Sequence, residues 1–366
     1  MMTSICIGVI FLKNAIIKLL VFLLKPKKAN SSKEGRSFLI VSTTGLGDTL
    51  WATPAIASLR AAHPTSKIYV LTSTIGKEVL SHNPHIDEVI LLKKSLFLLF
   101  QLKKKKITDV LIFHASQRMI LPFVAILGVE RIVGTSGINK GLDSLFTEIL
   151  DNRHVHEIKR RLEIAGVAHS KATLELFLNS QDELEAEAFL VKHLKSASFP
   201  LIVIHPGSKD RFKQWPPSHF IALGKLLVQE LQAQVLVTGS ASEKRLIEEI
   251  ALQIPGAIRV TDLRVRPFAA LLKKVTCMIT NDTGPMHIAF AMKTPTIALF
   301  SPTDPKLCGP YFAENAVSIF KERTCTPCLR KKCREPFCLL QIGVREVYEA
   351  CEGLAKLRPR PSCEKK

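Results

Sequence analysis

Three strand-to-helix junctions hold the residue types that could do chemistry. The first is Ser42-Thr43-Thr44-Gly45-Leu46-Gly47-Asp48-Thr49, directly after an apolar run. Gly45 and Gly47 let the backbone approach a ligand closely, as in a dinucleotide fingerprint. The fingerprint itself is absent: the third glycine position of GxGxxG is Leu50, and the next strand ends Val70-Leu71-Thr72 without an acid for a ribose. A carboxylate at a helix start would also repel a pyrophosphate seated there. Asp48 suits a general base that takes a proton from a hydroxyl nucleophile. It equally suits a plain helix cap, and spacing does not choose between the two.

The second junction is His205-Pro206-Gly207-Ser208-Lys209-Asp210-Arg211-Phe212-Lys213-Gln214-Trp215-Pro216. Hydroxyl, lysine and arginine groups in a glycine-containing loop can hold a diphosphate without a metal. A single lysine here would be an ordinary solvated charge; the cluster at a strand's carboxyl end points to binding. The third is Ile279-Thr280-Asn281-Asp282-Thr283-Gly284-Pro285-Met286-His287. An apolar strand meets a polar turn, and Pro285 falls near the first helical position, where its missing N–H costs nothing. Unpaired N–H groups and the positive dipole end at such a helix start attract an anion. Ile288, Ala289, Ala291 and Met292 form the expected buried side. A weaker fourth turn, Thr238-Gly239-Ser240-Ala241-Ser242-Glu243, offers Glu243 to ribose hydroxyls, although an acid is favoured in a helix's first turn in any case.

Cys325, Cys328, Cys333 and Cys338 stand close enough in sequence to form a structural zinc knot. Reduced thiols in a basic loop, or a redox-dependent disulfide, fit the same spacing. Cys6, Cys277 and Cys308 are scattered, which is unlike a secreted disulfide framework.

These junctions need a scaffold. Strands are expected at Phe38 to Val41, Ile68 to Leu71, Val89 to Leu92 and Val110 to Phe113. A second series falls at Leu201 to Ile204, Val235 to Val237, Ala257 to Val260, Cys277 to Thr280 and Thr296 to Phe300. They are apolar on both faces and separated by helix-length segments, as in parallel sheets covered on both sides. The intervening helices include Ser218 to Gln232, with Ser218 as N-cap, and Glu243 to Gln253. The fold class is therefore α/β, with two Rossmann-like doubly wound domains facing an interdomain cleft, the default ligand site. The expected divisions are 1–35 (apolar and basic), 36–180, 181–343 and 344–366.

Composition agrees with a folded two-domain protein: 366 residues, 47% apolar and 23% charged. A formal net charge of +19 implies acidic partners. With 7% aromatic residues and no basic stripe interleaved with them, nucleic acid is not expected. Residues 5–24 are largely apolar, interrupted by Lys13 and Lys18, and Lys25, Lys27 and Lys28 follow. A lysine near the middle disfavours a spanning helix, and the start lacks the marks of a signal peptide. An interfacial helix or short anchor on anionic lipid is expected; the alternative is a helix packed on the protein body. Leu96-Phe97-Leu98-Leu99-Phe100 followed by Lys103 to Lys106 could touch the same surface, or be a buried helix with a solvated end.

Taken together and in this order, the motifs resemble those of the glycosyltransferase family 9 enzymes, the heptosyltransferases of lipopolysaccharide core assembly. The resemblance runs from about Phe38 to about Ala355. It rests on Gly47-Asp48, Thr53-Pro54-Ala55, Leu59-Arg60, His205-Pro206-Gly207, Lys213-Gln214-Trp215-Pro216, Asn281 to His287, Leu299 to Asp304 and the cysteine-rich stretch. It implies a GT-B fold with the acceptor on the first domain, where Gly45 and Gly47 lie, and the nucleotide sugar on the second. A final helix, Val344 to Lys356, would return to the first domain. It implies Asp48 as catalytic base, Ser208 and Lys213 as diphosphate contacts and Glu243 as ribose contact. Asp282 would meet sugar hydroxyls, Thr283 and Gly284 the diphosphate, and His287 would support them. The implied reaction is inverting and metal-independent, from ADP-heptose to a lipid A–core acceptor. It would be carried out by a monomer at the cytoplasmic face of the inner membrane, with no cofactor required. A transferase using another nucleotide sugar, a non-catalytic sugar-nucleotide binder and a Rossmann-type oxidoreductase are the competing readings.

Overall fold

The computed structural model describes residues 2–24, 35–93, 95–113, 120–167, 173–194, 199–334 and 336–357. Lys25, Lys27, Lys28 and the tail from Arg358 lie outside the described residues. The chain divides into two compact units, Met1–Ala172 and Thr173–Lys366. The division falls ahead of the 180/181 boundary expected from sequence, because the extended segment carrying Leu174 and Leu176 goes with the second unit.

The first unit holds β1 (Ser37–Ser42), β2 (Lys67–Thr72), β3 (Glu88–Leu91), β4 (Asp109–Ile112), β5 (Arg131–Thr135) and β6 (Glu148–Leu150). All pairs are parallel, in the order β3-β2-β1-β4-β5-β6. The second unit holds β7 (Leu201–His205), β8 (Gln234–Thr238), β9 (Ile258–Val260), β10 (Cys277–Asn281), β11 (Thr296–Phe300) and β12 (Ala316–Phe320). Its order is β12-β11-β10-β7-β8-β9, again parallel throughout. Both are Rossmann orders, reversing between β1 and β4 and between β7 and β10. Ligands of such sheets bind beyond the carboxyl ends of the strands at that reversal. The motif after β1 and those after β7 and β10 therefore stand where the topology leaves a crevice.

The central strands are buried along their whole length, which is why they read as unbroken apolar runs. In the second unit Ile202, Ile204, Val235, Val237, Ile279 and Leu299 pack with Trp215 and Phe220. Each such side chain contributes roughly 1.5–3 kcal/mol by leaving water. The final helix, Val344–Leu357, adds Val347, Tyr348 and Cys351 to this same core and packs on the helix Pro217–Leu231. Its buried face contributes to the second unit's core. Helix Pro217–Leu231 starts two residues too early for Ser218 to cap it: Pro216 is the N-cap, and the Ser218 hydroxyl meets His219 Nδ1 instead.

The first helix, Met2–Leu24, packs one stripe and exposes another. Asn14 is buried and donates to Lys140 O at 2.9 Å, and Val21 enters the first unit's core with Ile17 beside it. Leu12, Ile16, Leu19, Leu20, Phe22, Leu23 and Leu24 remain exposed. No described helix is long and apolar enough to cross a membrane. Helix Leu96–Lys103 behaves similarly: Leu98 and Leu102 are buried in the same core, while Phe97 and Phe100 are exposed.

Candidate functional site

In the first unit Asp48 is the third residue of the helix Leu46–Ala62. Its carboxylate accepts no backbone N–H; its one hydrogen-bond partner among the described residues is Arg161, with Nη2 3.3 Å from Oδ1. The side chain of Asp48 is 36% exposed and that of Arg161 only 1%. Arg161 is held from behind: Nη1 donates to Glu157 O at 2.8 Å and Glu157 Oε2 at 2.6 Å, and the guanidinium lies 5.2 Å from the Trp51 ring. A buried cation anchored in this way fixes the carboxylate's direction while leaving its second oxygen open. Sequence reasoning missed Arg161. It sits in a Lys-Arg-Arg run that reads as a solvated face, and its partner is more than a hundred residues earlier. The available signal was Glu157–Arg161 at i, i+4 spacing.

Gly45 caps the same helix in extended geometry, φ −75° and ψ 179°. A Cβ there would sit 3.7 Å from Asp48 Oδ2, an ordinary contact. Gly47 is the second residue of that helix, directly before Asp48.

The second unit's site is more tightly cross-linked. Asn281, fully buried at the end of β10, donates from Nδ2 to Pro206 O at 2.8 Å. Its Oδ1 accepts from Trp215 N at 3.0 Å. Both ends of the loop after β7 are therefore tied to β10. Inside the loop Gln214 Nε2 donates to Ser208 O at 2.8 Å, and Ser208 is buried. Trp215 Nε1 closes the base by donating to Ile342 O at 3.1 Å. Lys213 Nζ reaches the next residue of the β10 junction, Asp282 Oδ2, at 2.6 Å.

Helix Gly284–Ala291 follows at once. Thr283 is its N-cap but makes no side-chain cap, so the N–H groups of the first turn are not taken by the hydroxyl. Pro285 occupies the first turn, as the sequence suggested. The buried side is Met286, His287, Ile288, Ala289 and Phe290 rather than the stripe ending in Ala291 and Met292, which are half-buried. His287 packs edge-to-face on Phe290 at 5.8 Å and is nearly enclosed.

The β8 turn joins the same corner. Glu243 Oε2 accepts from Ser240 N at 2.8 Å and Ser240 Oγ at 2.7 Å, a capping box. Its other oxygen lies over Gly207, where an added Cβ would come within 2.0 Å of Oε1. The absence of a side chain at Gly207 lets the Glu243 carboxylate lie this close. His205, below it, is buried with Nδ1 3.0 Å from Thr238 Oγ1. Loss of hydration pushes its pKa down to about 4, with the Glu243 charge acting in the opposite sense. His205 is therefore a neutral structural imidazole at neutral pH.

The four cysteines singled out in the sequence lie together in the second unit. Cys325, Cys328, Cys333 and Cys338 line a cavity of about 610 Å³ with Phe212 and Pro302. Cys338 is buried beside Leu339, while Cys325, Cys328 and Cys333 are half-buried. Among the described residues no three metal-ligating side chains come together.

Two parallel sheets of Rossmann order, with glycine-bearing turns at each point of reversal, define a two-domain α/β protein of the GT-B type. The chain belongs to glycosyltransferase family 9 (heptosyltransferase), whose model matches residues 133–338. That stretch contains every second-unit site residue. Over 171 residues the chain is 25% identical to lipopolysaccharide heptosyltransferase 1 of Pseudomonas aeruginosa, covering 42% of this chain and 48% of that one. The match thus spans about half of that relative's length. Lipopolysaccharide heptosyltransferase 3 of Escherichia coli is 26% identical over 303 residues, 75% of this chain and 85% of its own. The solved E. coli ADP-heptose lps heptosyltransferase II superposes with a TM-score of 0.73 at 20% identity, covering 88% of this chain and 99% of that one. This last likeness is one of fold.

Proposed function

We propose that this protein transfers a heptose from ADP-heptose to a sugar hydroxyl of a lipid A–core acceptor, with inversion and without a metal. The acceptor oxygen attacks the anomeric carbon, the bond from that carbon to the diphosphate breaks, and ADP departs. Asp48 takes the hydroxyl proton, and Arg161 holds the carboxylate while it does so. Lys213 and the Thr283–Gly284 helix start receive the negative charge that builds on the diphosphate, with Ser208 beside them. Asp282 and Glu243 orient the sugar and the ribose. A single displacement of this kind inverts the anomeric centre.

The observation that carries this reading is the second-unit corner. There a lysine and an uncapped helix start, both anion-seeking, are locked side by side by Asn281. The named relatives supply the donor and acceptor classes. The exposed apolar stripes of Met2–Leu24 and Leu96–Lys103, the latter ending in lysines, support peripheral attachment to anionic lipid. We assign the protein to the cytoplasmic face of the inner membrane, as a monomer.

Titration with ADP-, UDP- and GDP-sugars, followed by turnover on a lipid-core acceptor, tests the proposal. Binding and consumption of the ADP-sugar is the expected result. Wild-type protein that turns over on no lipid-core acceptor would sink it, and preference for a UDP- or GDP-sugar would replace the donor.

A further inference from the structure

The loop after β7 has two chemical faces, and the function above uses one. Ser208 is buried and Lys213 is paired with Asp282. Between them, Lys209 and Arg211 are exposed and line a cavity of about 900 Å³. Its opposite wall is the segment between Cys328 and Cys338, with Lys331, Lys332 and Arg334. The short 3-10 turns Arg211–Lys213 and Arg330–Lys332 pack against each other, so the two walls are in contact within one unit.

Charge accounting separates this cavity from the other basic one on the molecule. In the first unit Arg36, Lys67, Lys104, Lys105 and Lys106 line a cavity of about 580 Å³, but three are neutralised, Arg36 by Asp109, Lys67 by Asp87 and Lys105 by Glu88, and Lys104 rests on the Phe100 ring. In the second unit Lys209, Arg211, Lys331, Lys332 and Arg334 form no ion pair with a described carboxylate. Asp210 is the acid among the described lining residues. Five cations left together around one space repel one another, and an anion relieves that repulsion. The volume suits a sugar-sized ligand, and the two arginines offer the planar fork that matches phosphate and carboxylate oxygens.

We propose that this cavity is a second anion site, which takes phosphate groups of the acceptor glycan and is separate from the donor diphosphate site at Lys213. The assignment of the ligand to the acceptor rests on the transferase reading above. The cysteine-rich segment then carries three cations, Lys331, Lys332 and Arg334, to the back of the donor loop. One loop would thus hold donor phosphate on one face and acceptor phosphate on the other.

The test uses the full chain with Lys331→Glu/Lys332→Glu, both exposed and outside the donor site. With a deacylated, phosphorylated core oligosaccharide as acceptor, KM for the acceptor should rise about ten-fold or more, since each lost charge-assisted contact weakens binding severalfold. Donor KM and kcat should stay within about two-fold, and the milder Lys331→Gln/Lys332→Gln should give an intermediate shift. With phosphatase-treated oligosaccharide the wild type and the variant should be alike. A rise in donor KM instead, no change in either KM, or an effect that survives phosphatase treatment would each overturn the proposal. Should the wild type show no transfer at all, direct titration of the phosphorylated oligosaccharide decides: weaker binding by the variant upholds the anion site, and equal binding refutes it. An unchanged thermal unfolding curve shows that the variant is folded.

Discussion

The two units share one strand order and one place for a site, yet they furnish that place with opposite chemistry. After β1 the chain puts a carboxylate, Asp48, into the first turn of a helix and backs it with one buried arginine. After β7 and β10 it puts a lysine, a glycine turn and a helix start free of acid in its first turn. The first arrangement disfavours an anion and the second attracts one. The comparison teaches that Rossmann topology says where a ligand goes, and that the sign of charge at the helix start says which kind.

The largest expected effect falls on the first unit. Asp48→Ala should lower transfer by about 10³-fold or more, within the range for a lost general base, while leaving ADP-sugar affinity unchanged. Equal loss of binding would break the division of labour between the units. Next, Lys213→Ala should cost about 10²-fold in kcat/KM, as does removal of one preorganised charge contact. Here the donor titration should weaken, the opposite signature to Asp48→Ala. Arg161→Met should lower kcat about ten-fold, the cost of a slightly misplaced base, with donor KM unaltered. Because its partners are about a third exposed, the accompanying loss of stability should be only about 1–2 kcal/mol, measured by urea unfolding.

A pH experiment probes the second unit's interior. The pKa of His205 is about 4 when folded, against 6.5 as its ordinary value. The unfolded chain therefore binds more protons between those pH values, and stability rises with pH across that window. The contribution is complete above pH 6.5 and is lost as pH falls toward 4, about 3 kcal/mol at most. His205→Gln should flatten the difference between urea midpoints at pH 7 and pH 4.5 relative to wild type. The smallest effect is expected for Gly207→Ala, which must swing the Glu243 carboxylate aside at about 1–2 kcal/mol of donor affinity. An unchanged donor Kd would show that Glu243 has no part in binding.

The central strands were legible in the sequence because burial on both faces makes them plain apolar runs, as in β1, β7 and β10. Of the four edge strands, β3 and β9 were legible and β6 and β12 were not. β6 has three largely exposed residues, and β12 is half-buried with an exposed Phe320, so neither carries a strong pattern. β5 was missed as well, since Gly134 interrupts its β-branched run. Gly134 is there because a Cβ would run into the Phe146 ring, a contact between elements that no local window contains. The site residues divide in the same way. Asp48, Lys213 and the Asn281–Gly284 turn stand on strand ends and could be picked out by residue type. Arg161 behind Asp48 and Glu243 over Gly207 are long-range pairings, and only the folded chain displays them.

The two hydrogen bonds of the Asn281 side chain have a kinetic consequence. By tying Pro206 and Trp215 to β10, they hold both ends of the loop after β7 in place beside the helix Gly284–Ala291 before any sugar nucleotide arrives. Donor capture by this unit should then follow a simple bimolecular course, with an observed rate that climbs in direct proportion to concentration and never reaches a plateau.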